Sequence, residues 1–561
     1  MQAASGTAGL PLAGPPTRVA RAAHRVGRGL GRLDLLTARV PPWMVLGPLV
    51  VLGWLVVAFV AHAAIHTGRL YSSFGEGTTT YTTAWMLAHG HVPYGSGGFA
   101  YALLLAPVAR LAGASMPAGV PAPVVFNLAV LGPVALLCVY GIAKTIAGRR
   151  FAYLVSALWV VAPLLAIPYF LGDYHRRYVG ETLPAVLGLT TAPDLPAMAA
   201  VLVSAYFVVR ALAAGARMGG GNRLDGLAAG LAAGLALAVK PVDAVFLPAP
   251  LLALAVARRW RAEALFGTAL LPWLVALVLW KERGLGYVPL FSNGLAHDFP
   301  FSWALLKHNI DNFREFGWSK RLVEWALVAG LVGLGRRSLP LATLTGIWLA
   351  CYVLLKGAST AIFDNGIFFR QLASAFPAAF LLTISLPLLL PIAGRTLAHA
   401  GELPSWPASH RARKLVLGLG GIASVVPIVV LLAVGKQANA DAVTVPGRVL
   451  VPSNRFEVKA SVGGSSVALS WPAQSSGGAH VRYAIFRSRT DPVACVAPHG
   501  GALLCSQTVS PVAVAGARSF TDTPPASGRW VYRVAMVAGV PPPAFPAGVL
   551  LESRPVTVET G

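Results

Sequence analysis

Residues 224–253 read LDGLAAGLAAGLALAVKPVDAVFLPAPLLA. Two apolar runs, 224–239 and 241–257, meet at Lys240-Pro241. Proline lacks a backbone N–H and clashes with the preceding turn, so a helix must break there. A lysine between two such runs sits where hydrocarbon resists charge, at a cost of roughly 2.5–3.5 kcal/mol on insertion scales. The stretch therefore reads as a pair of short membrane helices joined at an ionisable residue, with Asp243 three residues on as a neutralising partner.

Working outward, the same grain repeats. We expect about eleven apolar spans, near 44–64, 122–143, 151–171, 193–214, 224–239, 241–257, 264–280, 322–335, 338–355, 371–392 and 414–435. Across all 561 residues, 56% are hydrophobic and 12% charged, half the charged share of ordinary soluble domains, about 25%. A disordered chain and a soluble enzyme are both excluded by that balance, and four cysteines exclude a disulfide scaffold. The net charge of +24 points to arginine-rich turns facing an anionic leaflet rather than to nucleic acid.

Arginine placement orients the spans. Segment 1–43 carries Arg18, Arg21, Arg25, Arg28, Arg32 and Arg39 against Asp34, and does not read as a signal peptide. With that segment cytoplasmic, every inner turn of the eleven-span count is basic: Arg149-Arg150, Arg217 with Arg223, Arg258 to Arg261, Arg336-Arg337, and Arg411 to Lys414. The expectation is a multi-pass plasma-membrane protein with three domains: the basic segment 1–43, a membrane domain 44–435, and an extracytoplasmic region 436–561. Loops 65–121, 172–192 and 281–321 then lie outside.

After Gly435 the periodicity changes to two. VALSWPA, VRYAIFRS, FTDTPP and GRWVYRVAMV alternate between turn clusters, which predicts an antiparallel all-β sandwich. These words resemble the fibronectin type III family over about 461–559. Cys495 and Cys505 form either a disulfide, in a loop size contributing about 2–3 kcal/mol, or two free thiols.

Polar residues among the spans carry the functional reading. Glu76, between Gly75 and Gly77, is the only acid from Asp34 to Asp173. It is either a reactive carboxylate or a solvated loop residue. The stretch FGEGTTTYTTAWMLAHGHVPYGSGGFAYALLLAPVARLAG, residues 74–113, resembles the first outer loop of the GT-C superfamily of polytopic glycosyltransferases. In that family an acid follows the first span, then a Gly and a Pro-Tyr, then a short helix on the membrane surface. Glu76, Gly90, Pro93-Tyr94 and Phe99–Leu111 match these in turn. GLAAGLALAVKP and the Arg370 stretch match two further segments, whose Lys and Arg the family places at the donor phosphate. The resemblance covers about 44–390. Gly75 stands where the family often has a second acid, and Tyr101-Ala102-Leu103 replaces a Tyr-Pro-Pro, so an acid-pair metal is not supported.

The resemblance implies an inverting transferase that uses a polyprenyl-phosphate sugar, a glycan, lipid or protein acceptor, membrane lipids and no nucleic acid. No cofactor is assigned. Glu76 is the expected catalytic base, Lys240, Arg370, Arg176 and Arg177 the phosphate contacts, and Tyr81, Tyr94, Asp194 and His297 the substrate contacts. Other roles stay open. Lys240 also fits a snorkelling lysine, Arg370 an interfacial anchor, and Asp194 a helix N-cap. Arg176-Arg177 also fit local pairing with Asp173 and Glu181. Zinc, nucleotide and serine-nucleophile motifs are absent from the sequence. A transporter predicts repeated halves that the sequence lacks, and Gly75 keeps a non-catalytic scaffold open. High Ala, Gly, Arg, Val and Pro usage points to a GC-rich bacterial genome, such as an actinobacterium.

Overall fold

The structure is a computed structural model. It describes residues 40–64, 80–81, 83–84, 87–88, 97–112, 119–166, 184–213, 221–284, 301–312, 314, 322–359, 370–389 and 410–434. Farther on it describes 443–445, 448–451, 457–472, 481–490, 493–496, 503–507, 512–538 and 549–561.

The first part is helical. In chain order its main helices are α1 (Pro42–Ala64), α2 (Ala100–Ala112), α3 (Gly132–Ala166), α4 (Asp194–Ala213), α5 (Gly221–Val239) and α6 (Pro248–Val256). They continue with α7 (Trp260–Gly284), α8 (Trp303–Asn312), α9 (Leu322–Arg337), α10 (Leu339–Cys351), α11 (Phe376–Ile384) and α12 (His410–Val434). Among the described residues five helical stretches are long and apolar enough to cross a membrane: Pro42–Val60, Pro121–Leu164, Asp194–Ala213, Trp260–Lys281 and Leu339–Lys356. Their outer faces are apolar, with Leu55, Phe59, Leu154 and Val275 exposed, as hydrocarbon contact demands. The chain is thus a multi-pass helical membrane protein.

The lengths do not give eleven full spans. Leu224–Val239, Pro241–Val256, Ala373–Leu389 and Leu417–Leu432 are apolar but shorter. The Lys240-Pro241 break accounts for two of them. Pro121–Leu164 is one helical stretch that folds back on itself. Ala147 and Gly148 leave helical geometry, Gly148 at φ 87°, a left-handed conformation that glycine adopts without Cβ strain. The Tyr140 and Tyr153 rings then lie 5.4 Å apart, where thirteen residues of straight helix would separate them by about 20 Å. Two antiparallel legs result, with Arg149-Arg150 at their turn.

Close packing holds the bundle. Gly226, Gly230 and Gly234 recur every four residues along one face of α5. A Cβ at Gly226 or Gly230 would fall within 3.0 Å of the Ala262 or Phe266 carbonyl oxygen, and one at Gly234 as close to the Trp273 ring. Small residues let two backbones approach in this way where no hydrophobic force between helices exists. The matching order shows α5 and α7 running parallel, with α6 returning between them. Arg337 Nε donates to the Ile146 carbonyl at 2.9 Å, Arg210 pairs with Asp225 at 3.2 Å, and Gly141 packs on Tyr206. These contacts gather the basic turns 149–150, 258–261 and 336–337 at one end. Asp194, Lys240 and Arg370 lie at the other.

The first loop contributes the expected helix, α2, whose buried face is Tyr101, Ala102, Leu105 and Ala109. Leu111 on its far side is exposed. Gly98 lies against the carbonyls of Ala238 and Val239, the Trp280 indole N–H donates to the Gly97 carbonyl at 3.0 Å, and Phe99 packs on Trp273 and Trp280.

The C-terminal region is all β. Its strands are β1 (Val443–Val445), β2 (Arg448–Val451), β3 (Lys459–Gly463), β4 (Ser466–Ser470), β5 (Val481–Ser488) and β6 (Val493–Val496), followed by β7 (Leu503–Gln507), β8 (Ala513–Ala515), β9 (Ser519–Asp522), β10 (Gly528–Ala538), β11 (Val549–Glu552) and β12 (Val556–Thr560). Sheet β3-β4-β9 and sheet β11-β10-β5-β8, with β12 also on β10, are antiparallel. Val467, Leu469 and Trp471 from the first side share a core with Tyr483, Ile485, Tyr532 and Val534 from the second. Alternation at period two aims these residues inward. Arg487 pairs with Asp522 at 2.7 Å, and the Tyr532 hydroxyl donates to the same carboxylate at 2.5 Å. Burial and that anion hold the Tyr532 phenol above its ordinary pKa. A third sheet, β1-β2-β7-β6, stands apart in pairing.

Two tests follow from this architecture. Gly230→Ala would stabilise an ordinary helix by about 0.5–1 kcal/mol, but here the added methyl meets the α7 backbone. We expect a loss of about 1–3 kcal/mol, read as a lower Tm in detergent. Register sets Cys495 opposite Cys505 on β6 and β7, the backbone relation that a cross-strand disulfide needs. Their side chains lie outside the described residues. Alkylation of the oxidised protein under denaturing conditions is expected to spare both thiols, and mass labelling of either would refute the bridge.

Candidate functional site

Three charged side chains from distant parts of the chain meet at the end opposite the basic turns. Asp194 opens α4 and is fully buried. Lys240 Nζ reaches its Oδ1 at 2.5 Å, and Arg370 Nε reaches its Oδ2 at 2.9 Å. The partners are 46 and 176 residues away in sequence. Lys240 can do this because Pro241 excludes helix at the residue before it. Its backbone is extended at φ −141° and ψ 94°, which turns the side chain out of the line of α5. Lys240 is 3% exposed and Arg370 15% at the side chain, against 0% for Asp194. The accessible part of the cluster is therefore cationic.

The placement corrects one expectation. The Asp194 carboxylate is held by the two cations, and among the described hydrogen bonds none joins it to an N-terminal amide of α4. Lys240 takes Asp194 as an ion-pair partner. Asp243 accepts from the Tyr352 hydroxyl at 2.8 Å and from Ser374 Oγ at 3.0 Å. Sequence reading missed Tyr352 and Ser374. The available signal was a hydroxyl inside an apolar run, and tyrosine and serine are too common there to single out.

Tyr81, an expected substrate contact, is 2% exposed. It shares a core with Tyr101, Val120, Ala197 and Val239, and its ring fills the space beside Gly119. Burial pushes its phenol up to about 12, so the group stays neutral at ordinary pH. Ala197 lies one turn beyond Asp194, and Val239 precedes Lys240. The first loop is thereby packed onto both elements that carry the charges. Glu76, Tyr94, Arg176, Arg177 and His297 lie outside the described residues.

An apolar groove with a cavity volume of about 100 Å3 lies near Asp194. Trp54, Val57, Leu136, Trp159, Met198 and Phe376 line it, and Leu195, next to Asp194, closes one part. Asn127 is a polar residue in this wall, with its Nδ2 donating to the Gly188 carbonyl at 3.0 Å. Trp159 packs on Phe376 and Phe380 at 5.5 and 5.2 Å, which joins the second leg of the hairpin to α11. In the third loop, Arg314 makes a two-point contact with Glu324 at 2.6 and 3.1 Å. The Asn309 amide donates to the Gly357 carbonyl at 2.6 Å, which docks α8 on the chain after α10. Among the described residues no three His, Cys, Asp or Glu side chains group as metal ligands.

No family model matches the chain, and no curated protein matches it. Among solved structures it is similar to the crystal structure of ArnT from Cupriavidus metallidurans bound to undecaprenyl phosphate. The TM-score is 0.41 at 15% identity, over 70% of this chain and 72% of that one.

Removing one member of a buried ion cluster leaves an uncompensated charge, at about 3–5 kcal/mol. Asp194→Ala is expected to lower the detergent Tm sharply, and Asp194→Ala with Lys240→Met to recover part of the loss. A Tm indifferent to Asp194→Ala would show that the cluster carries no stability.

Proposed function

We propose that this chain is a membrane-embedded glycosyltransferase of the GT-C type that takes a sugar from a polyprenyl-phosphate donor. One observation carries the reading: Lys240 and Arg370 converge on a buried carboxylate, and Leu195, next to that carboxylate, lines an apolar groove. A lipid-linked phosphate needs that combination, cations for its oxygens and a greasy channel for its chain. Guanidinium offers a planar fork of donors to phosphate, and ammonium a point charge.

In this reaction the acceptor hydroxyl oxygen attacks the anomeric carbon from the face opposite the phosphate. The carbon–oxygen bond to phosphate breaks, and its electron pair leaves on the phosphate. Lys240 and Arg370 stabilise that growing charge. Glu76 takes the hydroxyl proton as general base, and the anomeric centre inverts. Five residues separate Glu76 from the anchored Tyr81, a reach of at most about 18 Å, which supports a carboxylate within range of the cluster. Arg176 and Arg177 serve as further phosphate contacts. Tyr94 and His297 contact the sugar or acceptor. The strand order β3-β4-β9 facing β12-β10-β5-β8 supports the fibronectin type III reading of the C-terminal region. In that reading it lies outside the cell with the N-terminus within, and it holds a glycan acceptor or a partner.

The test is transfer of labelled sugar from a polyprenyl-phosphate donor by the purified protein in nanodiscs. Glu76→Gln is expected to lower turnover by about 10²–10⁴-fold while donor binding persists. Wild-type turnover by this variant removes Glu76 from the role of base.

A further inference from the structure

The reaction above gives no task to Asp243, although it is a carboxylate with 1% of its surface exposed. Its two oxygens accept from two different elements, Oδ1 from the Tyr352 hydroxyl at 2.8 Å and Oδ2 from Ser374 Oγ at 3.0 Å. All three groups sit on irregular backbone. Pro241–Phe246 is a 3-10 turn, Tyr352–Lys356 a wide π turn and Ala373–Ala375 another 3-10 turn. Two of these turns lie close in the chain to the site's cations. The Asp243 amide donates to the Lys240 carbonyl at 2.9 Å, and Ser374 lies four residues beyond Arg370. The Trp348 indole N–H fixes the Ser374 carbonyl at 3.0 Å.

Two carboxylates therefore tie the same two segments in different ways. Asp194 joins the ends of two long, flexible side chains. Asp243 accepts from the short side chain of Ser374, four residues beyond Arg370, and itself follows Lys240 by three residues. A carboxylate is a costly link inside a membrane protein, since apolar contact joins helices without desolvating a charge. What it adds is direction: an ionised carboxylate accepts on both oxygens, whereas an amide accepts on one and donates from the other.

We propose that Asp243 is a positioning residue for the anion site, fixing the spacing of Lys240 and Arg370, with Tyr352 and Ser374 acting through it. This rests on reading those two cations as phosphate contacts. Asp243 itself touches no substrate.

The experiment compares two probes on the full chain in nanodiscs, undecaprenyl phosphate and the neutral alcohol undecaprenol. The wild type is expected to prefer the phosphate. Asp243→Asn should weaken phosphate binding about tenfold, the equivalent of one charge-assisted hydrogen bond, and leave alcohol binding unchanged. Ser374→Ala and Tyr352→Phe should shift the preference the same way, each by less. If Asp243→Asn fails to reconstitute, those two variants decide the matter. Equal loss for both probes would make Asp243 ordinary framework and overturn the inference, as would an unaltered preference in all the variants. A wild type that binds the alcohol as tightly as the phosphate overturns the reading of the cation site itself, and this inference with it.

Discussion

A carboxylate with no exposure to water governs the charged end of the helical region. Charge is expelled from low dielectric unless it is paired and hydrogen-bonded. Asp194 is tolerated because two cations reach it at contact distance, one per oxygen. Lys240 comes from a point where regular helix has ended, and Arg370 from just before the 3-10 turn Ala373–Ala375. The demand for pairing thus explains the Lys240-Pro241 break as well as the contacts. A straight helix through residue 240 would keep its lysine in line with α5.

Packing supplies the rigidity such a cluster requires. The glycine face of α5 brings the backbone of α7 close, which fixes the helix that ends at Lys240. Trp280 and Phe99 then bind the start of α2 to that same end. Polar and apolar contacts therefore point to one place. The groove beside it is walled by residues of α1, the α3 hairpin, α4 and α11, so its shape depends on four separate elements.

Much of this was legible in the chain. Long apolar runs announce membrane helices, Pro241 announces a break, and period-two alternation after Gly435 announces strands. Lys240 and Arg370 stand out because charge is rare in such runs. Their meeting at Asp194 was not legible, since no local rule links residues 46 and 176 apart. Asp243 drew attention for its nearness in sequence to Lys240, but its hydrogen bonds to Tyr352 and Ser374 were not legible, since those partners lie 109 and 131 residues away. Among the described residues only part of the span count is met by full-length helices, for a related reason. Hydropathy registers how greasy a run is, while length in the fold depends on where polar groups interrupt the helix. Tyr81 shows the reverse case, an aromatic in a polar loop that turns out to be core.

The ion cluster also sets an order of assembly. Asp194 leaves the ribosome first, Lys240 follows, and Arg370 comes 176 residues after Asp194. At about 5–20 residues per second that gap lasts about nine to thirty-five seconds. Throughout it the carboxylate must reside near the bilayer without its second cation. Early helices consequently cannot settle into their final arrangement as they are threaded in. The late segment that carries Arg370 closes the structure, much as a keystone lets an arch stand once the flanks are raised.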